Sequence, residues 1–75
     1  MARLTAIYRK QNGNVTSRKE DELSKAAYTK ELRSNGFRVL AVLNDKEIRT
    51  IKSGRLSIAQ QIKYLNIIDY VKQHL

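Results

Sequence analysis

The segment Phe37-Arg38-Val39-Leu40-Ala41-Val42-Leu43 carries an apolar side chain at nearly every position. A short run of this kind, bounded by turn signals, is typical of a β-strand that is buried on both faces. We therefore predict a strand over residues 37–43 and expect it to be the central strand of a sheet. The elements on either side of this strand follow from the residues that flank it.

The residues before this strand predict a helix over 23–35. Ser24 or Asp21 can cap its start, and Asn35-Gly36 supplies a left-handed stop. A helix that joins two strands of one sheet normally makes a right-handed crossover, so the strand after it is expected to run parallel to its neighbour, with the helix covering one face. The apolar positions with helical spacing are Leu23, Ala27, Tyr28 and Leu32.

The first part of the chain, residues 1–19, predicts a β-hairpin. Residues 4–9 alternate apolar and polar side chains, and Asn12-Gly13 is typical of a two-residue type I′ turn. Such a turn places Lys10 opposite Val15, whereas a loop of three to five residues would shift this register, so the assignment of faces depends on the two-residue turn. With the two-residue turn, one face carries Leu4, Ala6, Tyr8 and Val15, and the other carries Thr5, Ile7, Arg9, Thr16 and Arg18.

A short helix is predicted over 45–53, after the central strand. Asn44 and Glu47 have the spacing of a capping box, and Gly54 can end the helix. A helix-turn-helix interpretation of this segment and the next fails. With Gly54 as the turn glycine, the polar Gln60 would fall where an apolar residue is required.

A longer helix is predicted over 58–74, because this run contains no Gly or Pro and follows a second capping box at Ser57 and Gln60. Its apolar side chains form two lines about a third of a turn apart. Either the helix bends around its own core, or the first line packs on the sheet and the second line meets a second copy of the chain in a homodimer. The first line is Ile58, Ile62 and Leu65; the second line, the candidate self-association surface, is Tyr64, Ile67, Ile68, Val71 and Leu75.

Together these elements predict a small α+β fold in the order β-β-α-β-α-α, with residues 1–75 forming a single domain. A chain of 75 residues with 41% hydrophobic residues can fold, but its core is small. The absence of cysteine excludes disulfides and thiolate zinc sites, and His74 alone cannot build a metal site. We expect no metal and no cofactor.

Membrane insertion and secretion are not expected, because no apolar run approaches the roughly 18 to 20 residues of a membrane span and the N-terminus lacks a signal-peptide core. These features, with the basic charge, suit a small cytoplasmic accessory protein such as those of mobile elements.

An enzymatic function is not predicted. His74 is the penultimate residue, where chain ends fray, so it is a poor candidate for a general base. The acidic residues 20–22 precede the first predicted helix and are interpreted as a cluster that favours its positive N-terminal end. No glycine-rich phosphate-binding motif is present.

The net charge of +8 is concentrated at the two ends of the chain. Residues 1–19 hold five bases and no acid (+5), residues 20–43 four of each (0), and residues 44–75 six bases and three acids (+3). A two-stranded ribbon carrying arginine can enter the major groove of DNA, and a basic helix face can follow a phosphate backbone. The candidate residues are Arg3, Arg9, Lys10, Arg18 and Lys19 in the hairpin and Lys46, Arg49, Lys52 and Arg55 in and after the short helix.

These observations predict non-catalytic binding of nucleic acid, with DNA as the first choice. The alternative is a protein-interaction module, an adaptor or inhibitor, that docks an acidic partner surface through the same bases and self-associates through the C-terminal helix. A basic surface that serves only solubility is the third interpretation. Of the five aromatic residues only Tyr70 falls on a polar face, so a stacking surface for single strands is not predicted.

Overall fold

The computed structural model describes all 75 residues and confirms the predicted α+β fold. Three antiparallel strands form one sheet in the spatial order β2-β1-β3, with helices on both faces. None of the helices has both the length and the hydropathy of a membrane-spanning segment. In chain order the elements are β1 (Ala2–Arg9), β2 (Val15–Glu22), α1 (Lys25–Ser34), β3 (Arg38–Asn44), α2 (Asp45–Ser53), α3 (Ile58–Lys63) and α4 (Ile68–His74).

The central strand is β1, and the prediction that residues 37–43 occupy the centre was wrong. All five residues from Leu4 to Tyr8 are buried, including the polar Thr5, whereas β3 is mostly half-buried and lies at an edge. β3 runs antiparallel to its neighbour β1, which also corrects the predicted parallel pairing. Helix α1 connects β2 to β3, and these two strands do run parallel to each other. Because β1 lies between them, the parallel strand that the crossover rule predicts is not the hydrogen-bonded neighbour of β3.

The hairpin loop has three residues, not the two of the predicted turn. The Lys10 N–H donates to the Asn14 carbonyl at 2.8 Å, and the Gly13 N–H donates to the Lys10 carbonyl at 2.9 Å. Gly13 has φ 89°, as the third residue of such a loop requires. The extra residue places Val15 opposite Arg9 instead of Lys10, and a shift of one residue moves every side chain of β2 to the other face.

Each face of the sheet carries its own hydrophobic cluster. The α1-side cluster consists of Leu4, Ala6, Tyr8, Tyr28 and Leu32. The α2/α4-side cluster consists of Ile7, Leu43, Ile51, Tyr64, Ile67 and Val71, with Val15 packed against it. Val15 was predicted to share a face with Leu4, and its position here follows from the three-residue loop.

The C-terminal third contains two helices, where one helix over 58–74 was predicted. Residues 64–67 form a turn, and α4 begins at Ile68, preceded by the capping residue Ile67, which has φ −131° and makes no side-chain cap hydrogen bond. Across this break Tyr64, Ile67 and Val71 still pack together in one cluster.

The two predicted apolar lines have the reverse of the expected roles. The candidate self-association residues are the intramolecular core: Tyr64, Ile67 and Val71 are at most 7% exposed. Ile68 and Leu75 also pack against this cluster, so the predicted dimer surface is not available to a partner. The exposed line is instead the one expected to pack on the sheet, namely Ile58, Ile62 and Leu65, at 70 to 78% exposure.

Candidate nucleic-acid interface

Arg3, Arg9 and Arg18 were predicted on one side of the hairpin, with Lys10 and Lys19 as additional contacts, but Arg18 lies on the other side from Arg3 and Arg9. The three-residue loop turns Arg18 toward α1, while Arg3 and Lys19 lie on the opposite face. The Arg18 Nε lies 3.4 Å from the hydroxyl of the buried Tyr28, which donates in turn to the Arg18 carbonyl at 2.9 Å. Carboxylates of Glu20 and Glu31 lie within 3.9 Å of the same guanidinium. Arg18 is therefore part of the packing of α1 on the sheet.

The acidic residues 20–22 were predicted to lie at the start of α1, but they belong to β2. The helix is capped by Ser24, whose Oγ accepts from the Ala27 N–H at 3.0 Å. Asp21 instead lies 3.6 Å from Arg3 across the hairpin. With three acids included, residues 1–22 carry five bases and a net charge of +2, so the hairpin alone is less basic than its first nineteen residues indicate.

The other face of the hairpin forms a cleft with α2 and the C-terminus. The volume of this basic cleft is about 500 Å³. Asp45, Arg49 and Lys52 recur at helical spacing and line one side of α2, so all three point into it. The cleft is lined by Thr5, Ser17, Lys19, Asp45, Ile48, Arg49, Lys52 and Leu75.

One ion pair ties the two walls of the basic cleft together. The Lys19 Nζ lies 2.9 Å from the Asp45 carboxylate, and its hydrogen bond, together with the charges of Lys19, Arg49 and Arg3, lowers the pKa of Asp45. Lys52 donates to the Leu75 carbonyl at 2.7 Å, which fixes the C-terminal end of the cleft. Three basic side chains and one acidic side chain give the lining a net side-chain charge of +2.

This lining suits a phosphate group. Ammonium and guanidinium groups neutralise phosphate charge, and hydroxyl side chains add hydrogen bonds. Thr5 supplies one such hydroxyl and Ser17 another, and the Ser17 Oγ lies 3.2 Å from the Tyr70 hydroxyl. The cleft therefore brings together Lys19 from the predicted hairpin surface and Arg49 and Lys52 from the predicted α2 surface.

The remaining predicted bases lie outside the basic cleft. Arg9 donates to the Gly13 carbonyl at 2.6 Å and holds the hairpin loop, and Lys10 is exposed beside it. Lys46 is exposed on α2 next to Asp45, and Arg55 is exposed beyond the end of that helix. Thr5 was predicted on this face of the hairpin, whereas Ser17 and Asp45 were not predicted as contact residues, because only the strand register shows that Ser17 lies beside Lys19 and faces α2.

Comparison with known proteins finds no matching family model, no matching curated protein and no matching solved structure. No group of three or more His, Asp or Glu side chains is arranged to hold a metal ion. The basic cleft is therefore the feature whose geometry and charge bear on function.

Helix α2 forms one wall of the basic cleft, and Glu47, on the side of the helix away from the cleft, fixes its orientation. Its carboxylate pairs with the Lys25 ammonium and accepts from the Asn44 N–H at 3.1 Å and from the Tyr64 hydroxyl at 3.0 Å. Burial alone would raise the pKa of Glu47, but these hydrogen bonds outweigh it and lower the pKa below its ordinary value of 4.5. Glu47 thus connects α1, α2 and the turn after α3.

Replacing Glu47 with glutamine is expected to lower the free energy of unfolding by about 1 kcal/mol at pH 7. Since the folded-state pKa is depressed, the stabilisation from the carboxylate is fully present above pH 4.5 and is lost as the pH falls through the lower folded value. The difference between wild type and Glu47→Gln should therefore shrink in acid, as measured by urea unfolding at a series of pH values. Glu31→Gln, at a more exposed carboxylate, is the control; equal effects of the two variants at pH 7 would contradict the role assigned to Glu47.

Proposed function

We propose that this protein is a non-catalytic nucleic-acid-binding accessory or regulatory protein that holds backbone phosphates in the basic cleft, with duplex DNA as its first target. The observation that carries this proposal is the convergence of Lys19 from β2 with Arg49 and Lys52 from α2 on one cleft. Two elements far apart in the chain contribute these bases. A basic surface that served only solubility would not require them to converge.

The cleft favours backbone recognition over base recognition. Four of the five aromatic rings are packed inside: Tyr28 and Tyr64 are buried, and Tyr8 stacks on Phe37 with ring centroids 4.9 Å apart. The fifth, Tyr70, packs on the α2/α4-side cluster. Without exposed rings the protein lacks the stacking surface of single-strand binders, so binding should depend on phosphate charge and show little sequence preference.

The proposal is tested by measuring affinity for duplex DNA, single-stranded DNA and RNA by fluorescence anisotropy across a salt series. Each neutralised phosphate contributes about 0.9 to the slope of log affinity against log salt, so the three cleft bases alone predict a slope of about −2.7 on duplex DNA. We expect duplex DNA to bind most tightly and scrambled sequences to bind equally. No binding at about 50 mM salt, or an affinity that does not change with salt, would contradict the proposal.

A second candidate function is the docking of an acidic protein surface by the same bases. The exposed apolar line on and after α3 favours it, because large exposed apolar side chains often mark protein contacts. Replacing Ile62 and Leu65 with serine separates the two functions. Unchanged DNA affinity in this variant agrees with the phosphate-binding proposal, whereas loss of DNA affinity would show that the apolar line belongs to the same interface.

A further inference from the structure

The basic cleft contains one acidic side chain, Asp45, which already holds the position of an anion among its bases. Its carboxylate lies 2.9 Å from the Lys19 Nζ. The hydrogen bond from Lys19, followed by the charges of Lys19, Arg49 and Arg3, lowers the pKa of Asp45, so it is ionised at neutral pH. Ammonium and guanidinium groups bind carboxylate and phosphate oxygens in the same way. Asp45 thus marks where an anion from outside the chain would be held.

The pairing of Asp45 is easily reversed, unlike that of Glu47 on the same helix. The Glu47 side chain is 18% exposed and has three partners, which lie in α1, at the cap of α2 and in the turn after α3. The Asp45 side chain is 53% exposed, and Lys19 is its one ion-pair partner. An exposed pair of this kind contributes little to stability. Lys19 can therefore exchange Asp45 for another anion while the fold stays intact.

The start of α2 is held by groups other than this carboxylate. Asn44 is the capping residue, and its side chain accepts from the Glu47 N–H at 2.8 Å. Glu47, which also lies in the first turn, places a negative charge near the positive end of the helix. The contact that distinguishes Asp45 is therefore the one that it makes across the cleft.

We propose that Asp45 is an internal competitor for phosphate: a backbone phosphate that enters the basic cleft replaces its carboxylate on Lys19. This exchange rests on the proposed phosphate binding and deepens it, because it names the residue that limits affinity. Arg49 and Lys52 form no ion pair with a carboxylate side chain, so they are available to phosphates from the start. Contact with Lys19 breaks one ion pair as it forms another, so the third base adds little net affinity. The bound nucleic acid is then readily released.

Asp45→Asn tests this exchange, because asparagine has nearly the same shape and no charge. Affinity for duplex DNA at about 50 mM salt should rise about fivefold, the upper range for losing an exposed competing ion pair. The slope of log affinity against log salt should stay at about −2.7, because the same three bases contact phosphates in both proteins. Fluorescence anisotropy over a salt series gives both quantities. Asp45→Ser provides a second neutral side chain at this position, with the same result expected.

Two further variants separate the exchange from a general effect of charge. Asp69→Asn changes the net charge by the same one unit, at an exposed position of α4 that does not line the cleft. It should change affinity by less than about twofold, because salt screens a distant exposed charge. In a chain that also carries Lys19→Gln, Asp45→Asn should likewise add less than about twofold, because no ion pair remains to be broken.

The results that contradict the exchange differ from those that contradict phosphate binding. DNA binding by wild type with no gain in Asp45→Asn, an equal gain in Asp69→Asn, or an undiminished gain in the absence of Lys19 would overturn the exchange and leave the proposed function standing. A slope that steepens by about 0.9 in Asp45→Asn would also overturn it, because Lys19 would then contact a phosphate only in the variant. If neither wild type nor any variant binds duplex DNA at this salt, the proposed function fails and the exchange fails with it.

Discussion

Replacing Ile67 with alanine is expected to lower the free energy of unfolding by about 2–5 kcal/mol, a large share of the total stability of a domain of this size. Ile67 is 1% exposed and packs in the α2/α4-side cluster at the turn between α3 and α4. Truncation there removes buried methyl groups and leaves a cavity in a core that has few other residues to close it. Chemical unfolding monitored by circular dichroism measures the loss.

The matched control is the same substitution five residues earlier. Ile62 is 70% exposed, so Ile62→Ala should change stability by less than about 0.5 kcal/mol. This pair of variants tests which apolar line of the C-terminal third faces the core. Equal destabilisation by the two variants, or a larger effect at Ile62, would show that the first line packs on the sheet instead.

Replacing the three bases of the basic cleft with glutamine is expected to reduce affinity for duplex DNA by about 100-fold at low salt. Lys19, Arg49 and Lys52 each neutralise about one phosphate, so the triple variant should also flatten the slope of log affinity against log salt by about 2.7. Anisotropy titrations of wild type and variant over the same salt series give both quantities. Loss of affinity with an unchanged slope would indicate misfolding rather than loss of phosphate contacts.

A second triple variant separates the cleft from the overall charge. Lys30 and Arg33 are exposed on α1, on the opposite face of the sheet, and Arg38 is exposed at the start of β3. Their replacement with glutamine also lowers the net charge from +8 to +5. This variant should bind nearly as tightly as wild type. If the two triple variants lose affinity equally, net charge and not the cleft governs binding.

The helices before and after β3 could be predicted because their boundaries depend on neighbouring residues. Ser24 caps α1, and Asn44 with Glu47 forms both bonds of a capping box at the start of α2, which coincides with the predicted helix over 45–53. Gly54 ends that helix with φ 75°, as its position indicates. A helix cap involves residues within three or four positions of one another, so the sequence alone is sufficient to predict it.

The features that shape the basic cleft depend on longer-range packing. Asn12-Gly13 is compatible with two loop lengths, and the difference of one residue decides whether Lys19 or Arg18 faces α2. The run 37–43 is apolar enough for a central position, yet β1 occupies the centre because the polar β2 and the single crossover leave β3 only the outer place. The break after α3 likewise has no Gly or Pro to signal it, and it lies where Tyr64 and Ile67 pack in the α2/α4-side cluster.

Helix α3 has no buried residue and is held mainly by Leu56 before it and Tyr64 after it. Opening this helix breaks hydrogen bonds but exposes almost no new apolar surface, so it can unfold while the sheet stays intact. Its amide protons should therefore exchange with solvent at a rate that does not follow the global stability, and trypsin should cleave at Lys63 before it cleaves in the sheet. The segment that displays the most exposed hydrophobic side chains is thus also one that opens readily, and a partner would meet it as a fluctuating surface rather than a rigid one.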